Sequence, residues 1–193
     1  MTLPNRIFFT GVPGSRWSGI AQVLESMDGF NTSDRTPARD YSRVDFTGHK
    51  GAYFGRGMEF DHNLNKTNID AAHSTHTGTR IIKSHDWAYC LDQIEQYYPT
   101  DWIMLVYRPD MVSYAWWHEA GGFKIKYPCY DDYRDSTNML SEITNQNKHI
   151  LEYAHTRNAT WHYFTEQWIL DMFGQSVKLD KSFSDILVTV IKV

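Results

Sequence analysis

Three short groups of polar residues in this sequence have side chains that could bind an anion and move a proton. The first lies in GVPGSRWSG at residues 11–19, the second is KSH at 83–85, and the third is Arg108 with Ser113. Arginine and lysine supply positive charge, hydroxyl groups donate hydrogen bonds, and histidine titrates near neutral pH. Together these groups suit a ligand with two separated anionic groups and a proton to transfer.

Each group follows an apolar run that predicts a core strand. We predict strands over 6–10, 80–87, 101–108, 160–164 and 185–193. We predict helices over 18–28, 88–98, 110–119, 137–157 and 166–173. Strands that alternate with helices are typical of a three-layer αβα sandwich around a mostly parallel sheet. Because ligands of such sheets bind beyond the carboxyl ends of the strands, we expect the three groups to form one site.

The loop after the first strand is similar to a phosphate-binding loop that lacks its lysine. A small-residue turn between a strand and a helix can direct backbone N–H groups and a helix N-terminus at an anion. The signature GxxxxGK[ST] of nucleotide hydrolases is absent. An ordinary strand-to-helix turn is the alternative interpretation.

Length and composition favour one globular domain over residues 1–193. Hydrophobic residues make up 41% of the chain and charged residues 22%, as in ordinary globular proteins. Residues 31–79 form a polar, glycine-rich insert, which we interpret as a possible acceptor-binding region. The net charge of -4 argues against nucleic acid and membrane surfaces as partners. Cys90 and Cys129 form no disulfide or metal-binding pattern, which favours the cytoplasm.

The three groups together resemble motifs of the sulfotransferases that use 3′-phosphoadenosine 5′-phosphosulfate (PAPS), namely the cytosolic, tyrosyl-protein and heparan-type enzymes. The family loop reads P-[KR]-S-G-T-[TS], and the sequence here is PGSRWS at residues 13–18. The basic residue of the family loop falls on Gly14, and Arg16 could supply the charge from two positions later. KSH corresponds to the K-T-H that ends a strand in many cytosolic members.

The resemblance implies an enzyme with a P-loop-like sheet that transfers a sulfuryl group from PAPS and releases 3′-phosphoadenosine 5′-phosphate (PAP). It implies His85 as the base, with Lys83 and Arg16 offsetting charge on the transferred group. Arg108 and Ser113 would hold the 3′-phosphate, although they are five residues apart here and about eight apart in the family. The implied donor-binding residues are Pro13, Gly14, Ser15, Arg16, Trp17, Ser18, Arg108 and Ser113. No metal is implied, and the acceptor is a small molecule or glycan with a hydroxyl or amine.

Two other functions remain open. A P-loop kinase is disfavoured because no Lys-Ser/Thr closes the loop, and Asp86 and Asp110 are its nearest magnesium candidates. A non-catalytic nucleotide-binding relative is the other alternative, since Gly14 replaces a basic residue. Each candidate also has a structural interpretation: His85 as a hydrogen-bonded strand-end residue, Arg108 as an ion-pair partner, and Lys83 as a side chain at the sheet edge.

Overall fold

The computed structural model describes residues 2–31, 42–43, 53–54, 64, 66–71, 77–122 and 135–193. Its strands are β1 (Arg6–Gly11), β2 (Phe30–Asn31), β3 (Ser42–Arg43), β4 (Tyr53–Phe54), β5 (Thr79–Lys83), β6 (Trp102–Tyr107), β7 (His162–Tyr163) and β8 (Leu187–Lys192). Its α-helices are α1 (Trp17–Glu25), α2 (Lys66–Ala71), α3 (Leu91–Tyr97), α4 (Asp110–Glu119), α5 (Ser136–Thr156) and α6 (Glu166–Phe173). Within the described residues, 3₁₀ helices also cover His85–Tyr89 and Lys181–Phe183.

β1 lies in the middle of a six-stranded mixed sheet with the order β2-β5-β1-β6-β8-β7. It pairs in parallel with β5, where Phe9 is opposite Lys83, and with β6, where Phe9 is opposite Met104. The predicted parallel arrangement of the three strands that precede the candidate groups is therefore confirmed. Their carboxyl ends lie side by side at one edge of the sheet, which we call the carboxyl edge.

The last strand runs against its parallel neighbours and makes the sheet mixed. β8 runs antiparallel to β6, with Leu187 opposite Tyr107 and Lys192 opposite Trp102. The chain returns from the end of α6 to the carboxyl edge before β8 begins, so β8 starts where β6 ends. As a result, the residues that precede β8 lie at the same edge as the candidate groups.

The core is organised by the alternation of side chains along the central strands. Ile7 and Phe9 belong to one apolar cluster, and Phe8, between them, belongs to another. The first cluster includes the helix residues Trp17, Ile20, Ala21, Leu24, Trp168, Ile169 and Phe173. The second includes Leu91, Ile94, Trp117, Met139, Ile143, Ile150, Tyr153 and Ala154. Helix residues therefore pack against the side chains of β1 in both clusters, and the α/β class is confirmed.

The predicted strand over 80–87 is correct in its first half and wrong in its second. β5 ends at Lys83, and a 3₁₀ helix begins at His85. Ser84 causes the change, because it adopts an extended conformation and its hydroxyl accepts a hydrogen bond from the Asp86 amide at 3.2 Å. The indole of Trp87 then donates back to the Ile82 carbonyl at 3.0 Å, which folds the chain over the strand it has left.

Most of the polar insert at 31–79 lies outside the described residues, as does Cys129. Within the insert, β3 and β4 pair antiparallel, with Arg43 opposite Tyr53. The end of the insert contains α2, whose Asp70 accepts a hydrogen bond from Arg6 at 2.7 Å. This contact holds α2 near the amino end of β1, away from the carboxyl edge. No helix within the described part of the chain is long and apolar enough to cross a bilayer.

Candidate anion-binding site

The loop of residues 11–16 joins β1 to α1, and we call it the anion loop after its predicted ligand. It is compact and buried at its centre. The Ser15 amide donates to the Val12 carbonyl at 3.0 Å, which closes a turn over Pro13 and Gly14. Pro13 and Ser15 are buried, and the Ser15 hydroxyl has no hydrogen-bond partner among the described residues. A buried hydroxyl without a partner is costly, which makes Ser15 a candidate donor to a ligand bound at this loop.

Gly14 occupies a position in which no side chain fits. Its φ of 78° lies in the left-handed region, and a Cβ there would be 1.9 Å from the Ser113 carbonyl oxygen and 2.9 Å from the Trp117 amide nitrogen. The loop thus packs directly on the backbone of α4. The lysine or arginine of the sulfotransferase loop could not be accommodated at this position, which explains the glycine in physical terms.

Arg16 is the N-cap residue of α1 and has a left-handed backbone conformation with a φ of 64°. Its guanidinium lies 4.3 Å from the Phe183 ring centre and 4.8 Å from that of Trp116. It also donates to the Ser182 hydroxyl at 2.5 Å, and the Ser182 hydroxyl donates in turn to Asp180. Burial lowers the pKa of Arg16, and the nearby charge of Arg108 lowers it further.

Arg108 follows β6 and is the most extensively bonded side chain of the site. Its guanidinium makes three hydrogen bonds to the Asp185 carboxylate at 2.8–3.0 Å and a fourth to the Gly14 carbonyl at 3.2 Å. The guanidinium carbon lies 5.0 Å from the Trp116 ring centre. The fully buried Ser113 donates its hydroxyl to the Arg108 carbonyl at 3.3 Å. Ser113 therefore stabilises the turn into α4 instead of extending toward solvent.

His85 lies beside the end of β1. Its Nδ1 is hydrogen-bonded to the Gly11 carbonyl oxygen, and its ring packs on Trp17 with 4.3 Å between ring centres. Because a carbonyl oxygen only accepts, Nδ1 carries the proton, and Nε2 is the basic nitrogen of the neutral ring. This contact fixes both the tautomer and the orientation of the ring.

The ammonium group of Lys83 is paired away from the anion loop, although the Lys83 backbone lies opposite Phe9 of β1. Its ammonium nitrogen is 3.5 Å from the carboxylate of Glu25, and the two side chains are 6% and 8% exposed. Glu25 ends α1, whereas the loop precedes the first residue of α1, about 12 Å away along a nine-residue helix. The pair therefore holds Lys83 at the far end of α1. A role in neutralising the transferred group remains a prediction for Lys83, and it requires the ammonium to leave Glu25.

The carboxyl edge thus brings together most of the residues selected from the sequence, which are Pro13, Gly14, Ser15, Arg16, Trp17, Ser18, His85, Arg108 and Ser113. Trp17 is 3% exposed and packs on Phe9 and His85, so its role here is to support the His85 ring. Ser18 is half-buried in the first turn of α1. Lys83 is the one predicted site residue whose charged group the structure holds elsewhere.

Sequence reasoning missed the residues that precede β8. The segment DKSFSD, from Asp180 to Asp185, contacts both arginines of the site, through Asp180 and Ser182 for Arg16 and through Asp185 for Arg108. Its polar composition is visible in the sequence. Its position depends on the direction of β8, which the apolar pattern of that strand does not encode.

Among the described residues, no group of three or more His, Cys, Asp or Glu side chains is arranged to hold a metal ion. Comparison with known proteins adds no identification, because no family model, curated protein or solved structure matches this chain.

Proposed function

We propose that this protein transfers a sulfuryl group from PAPS to a hydroxyl or amine acceptor, on a three-layer αβα fold of P-loop-like topology. The observation that carries the proposal is that the loop and the His85 ring meet at the end of β1. Gly11 begins the anion loop and, through its carbonyl oxygen, also orients the His85 ring. Group transfer to a hydroxyl requires an anion site and an oriented base close to each other in space.

In this proposal the anion loop binds the 5′-phosphosulfate end of the donor. The Ser15 hydroxyl, which has no partner within the described chain, donates to the phosphate. The side chain of the N-cap residue Arg16 does not cap the start of α1, so the amides of the first turn can bind the same group. Arg16 offsets the charge that develops as the donor bond breaks.

The reaction needs no redox partner. The acceptor oxygen or nitrogen forms a bond to sulfur, while the bond between sulfur and the bridging oxygen of the phosphosulfate breaks. PAP departs with the electron pair of that bond, and Nε2 of His85 takes the proton of the acceptor. A base positioned in this way contributes roughly a hundred- to ten-thousandfold to the rate.

Arg108 binds the 3′-phosphate in this proposal. Its guanidinium already makes bidentate contact with a carboxylate, which is the geometry that also suits a phosphate. The adenosine 3′-phosphate would therefore take the position of Asp185 on Arg108.

Binding of PAP is the first test. A ligand at a hundred times its dissociation constant stabilises a protein by about 2.7 kcal/mol, which raises Tm by several degrees for a chain of this size. We expect a clear rise with PAP and a smaller one with Mg-ATP. No shift with PAP and a large shift with Mg-ATP would instead indicate a P-loop phosphotransferase.

Turnover is the second test. PAPS is incubated with the protein and with a panel of sugars, small alcohols, amines and tyrosine peptides, and release of PAP is measured. We expect acceptor-dependent release with at least one class. Tight PAP binding without release for any class would indicate a non-catalytic nucleotide-binding protein.

A further inference from the structure

The segment Asp180–Asp185, which we call the cover segment, brings two carboxylates to the arginines of the site. Asp185 contacts Arg108 at 2.8 Å, and the nearest Asp180 oxygen lies 3.9 Å from Arg16. The Ser182 hydroxyl bridges Arg16 and Asp180. Two arginines that the proposed function assigns to an anionic ligand are thus balanced by two carboxylates from six consecutive residues.

The two partners of the Arg108–Asp185 ion pair differ in their exposure to solvent. The Arg108 side chain is 6% exposed, whereas that of Asp185 is 46% exposed. A half-exposed carboxylate recovers most of its hydration when it moves away, whereas a buried guanidinium left without an anion is strongly disfavoured. Arg108 therefore needs an anion at this position, and Asp185 can be exchanged for another one at low cost.

The arrangement of the two arginines favours an anion with more charge than one carboxylate. Both guanidinium groups lie within 5.0 Å of the Trp116 ring centre, so one indole supports two like charges. The charge of Arg108 opposes that of Arg16, and the carboxylates of Asp180 and Asp185 offset this repulsion. A phosphate dianion carries on one group the negative charge that the two carboxylates supply together, which a single carboxylate does not.

We infer that Asp185 is an internal competitor that occupies the anion site of the unliganded protein and is displaced by a phosphate dianion of the ligand. The site therefore discriminates against monoanions, which cannot outcompete a tethered carboxylate. The inference rests on the proposed function to the extent that the same site binds the anionic ligand. It adds to that function a residue, Asp185, that determines which ligand charge the site selects.

The test uses Asp185→Asn, which keeps the shape of the side chain and removes its charge. Asp171→Asn is the matched control, because it removes the same charge from the exposed face of α6, where Asp171 bonds only to Gln167 within the described chain. Calorimetry measures the binding of inorganic pyrophosphate and of PAP to each protein. We expect Asp185→Asn to bind both ligands about tenfold tighter or more than wild type, and Asp171→Asn to match wild type. Equal affinities in all three proteins would overturn the inference.

The two ligands separate this inference from the proposed function. If Asp185→Asn gains affinity for pyrophosphate while PAP binds no better than pyrophosphate, the internal competitor stands and the PAPS site fails. If PAP binds wild type and Asp185→Asn equally tightly, the PAPS site stands and the internal competitor fails.

A measurement on the wild type covers the case in which Asp185→Asn does not fold. Hydrogen–deuterium exchange is followed with and without saturating PAP. We expect the amides of the cover segment to exchange faster with PAP bound, because Asp185 has left Arg108, while amides of the anion loop become protected. Increased or unchanged protection across 180–185 would refute displacement.

Discussion

Replacement of Gly14 by alanine is the most direct test of the loop geometry. The added Cβ would lie 1.9 Å from the Ser113 carbonyl oxygen, in a residue whose φ of 78° already disfavours any side chain. The left-handed backbone costs about 1 kcal/mol. Forcing the loop and α4 apart adds about 1–3 kcal/mol, as for other overpacked sites. We therefore expect a loss of about 2–4 kcal/mol in the free energy of unfolding. We expect Gly14→Lys to destabilise the protein in the same way, so it should not supply a usable basic residue at this position.

Gly174 provides a matched control for this measurement. It has a similar φ of 72°, but a Cβ there meets nothing within 4 Å. Gly174→Ala should therefore show the backbone cost alone, about 1 kcal/mol, which corresponds to about 2–4 °C in Tm for a chain of this size. Urea and thermal unfolding of the two variants measure the difference. Equal destabilisation by the two substitutions would refute the argument that Gly14 is required by its contact with α4.

Four further outcomes are expected. His85→Ala should lower turnover about a hundredfold or more and leave the calorimetric Kd for PAP within about twofold of wild type; near-normal turnover would remove His85 from the reaction. Wild type should bind PAP about a hundredfold tighter than 5′-AMP, because two charge-assisted hydrogen bonds provide about that difference. Arg108→Ala should abolish this preference. Calorimetry that shows the preference retained in the variant would contradict the 3′-phosphate assignment. Burial raises the pKa of Cys90 to about 12. Alkylation of its thiol at pH 8 should therefore be about a thousandfold slower in the folded chain than in urea. Mass spectrometry measures the labelling, and rapid labelling of the folded chain would contradict that burial. Because the unfolded thiol releases its proton first, the Cys90 contribution to the free energy of unfolding should fall as pH rises from about 9 toward 12, which urea titrations at several pH values measure.

Local sequence patterns determined the strands, helices and chemical groups of the site. The apolar run at 101–108 predicted β6, and the helices at 110–119 and 166–173 have the predicted bounds. These patterns work because burial on one or both faces imposes a period on neighbouring residues. The rule that parallel strands share a carboxyl edge then placed His85 and Arg108 beside the loop that contains Arg16.

Tertiary structure alone decided which partner each charged group has. Arg108 meets Asp185 across 77 residues of sequence, and Arg16 meets Ser182 across 166. Both contacts exist because β8 runs antiparallel, a direction that an apolar run does not specify. Gly14 is required by the backbone of α4, and Lys83 is held by Glu25 at the far end of α1. The sequence determined which groups are present, because composition and periodicity are local properties. The fold decided which charges balance each other, because arginine and lysine side chains pair with residues that are distant in sequence and close in space.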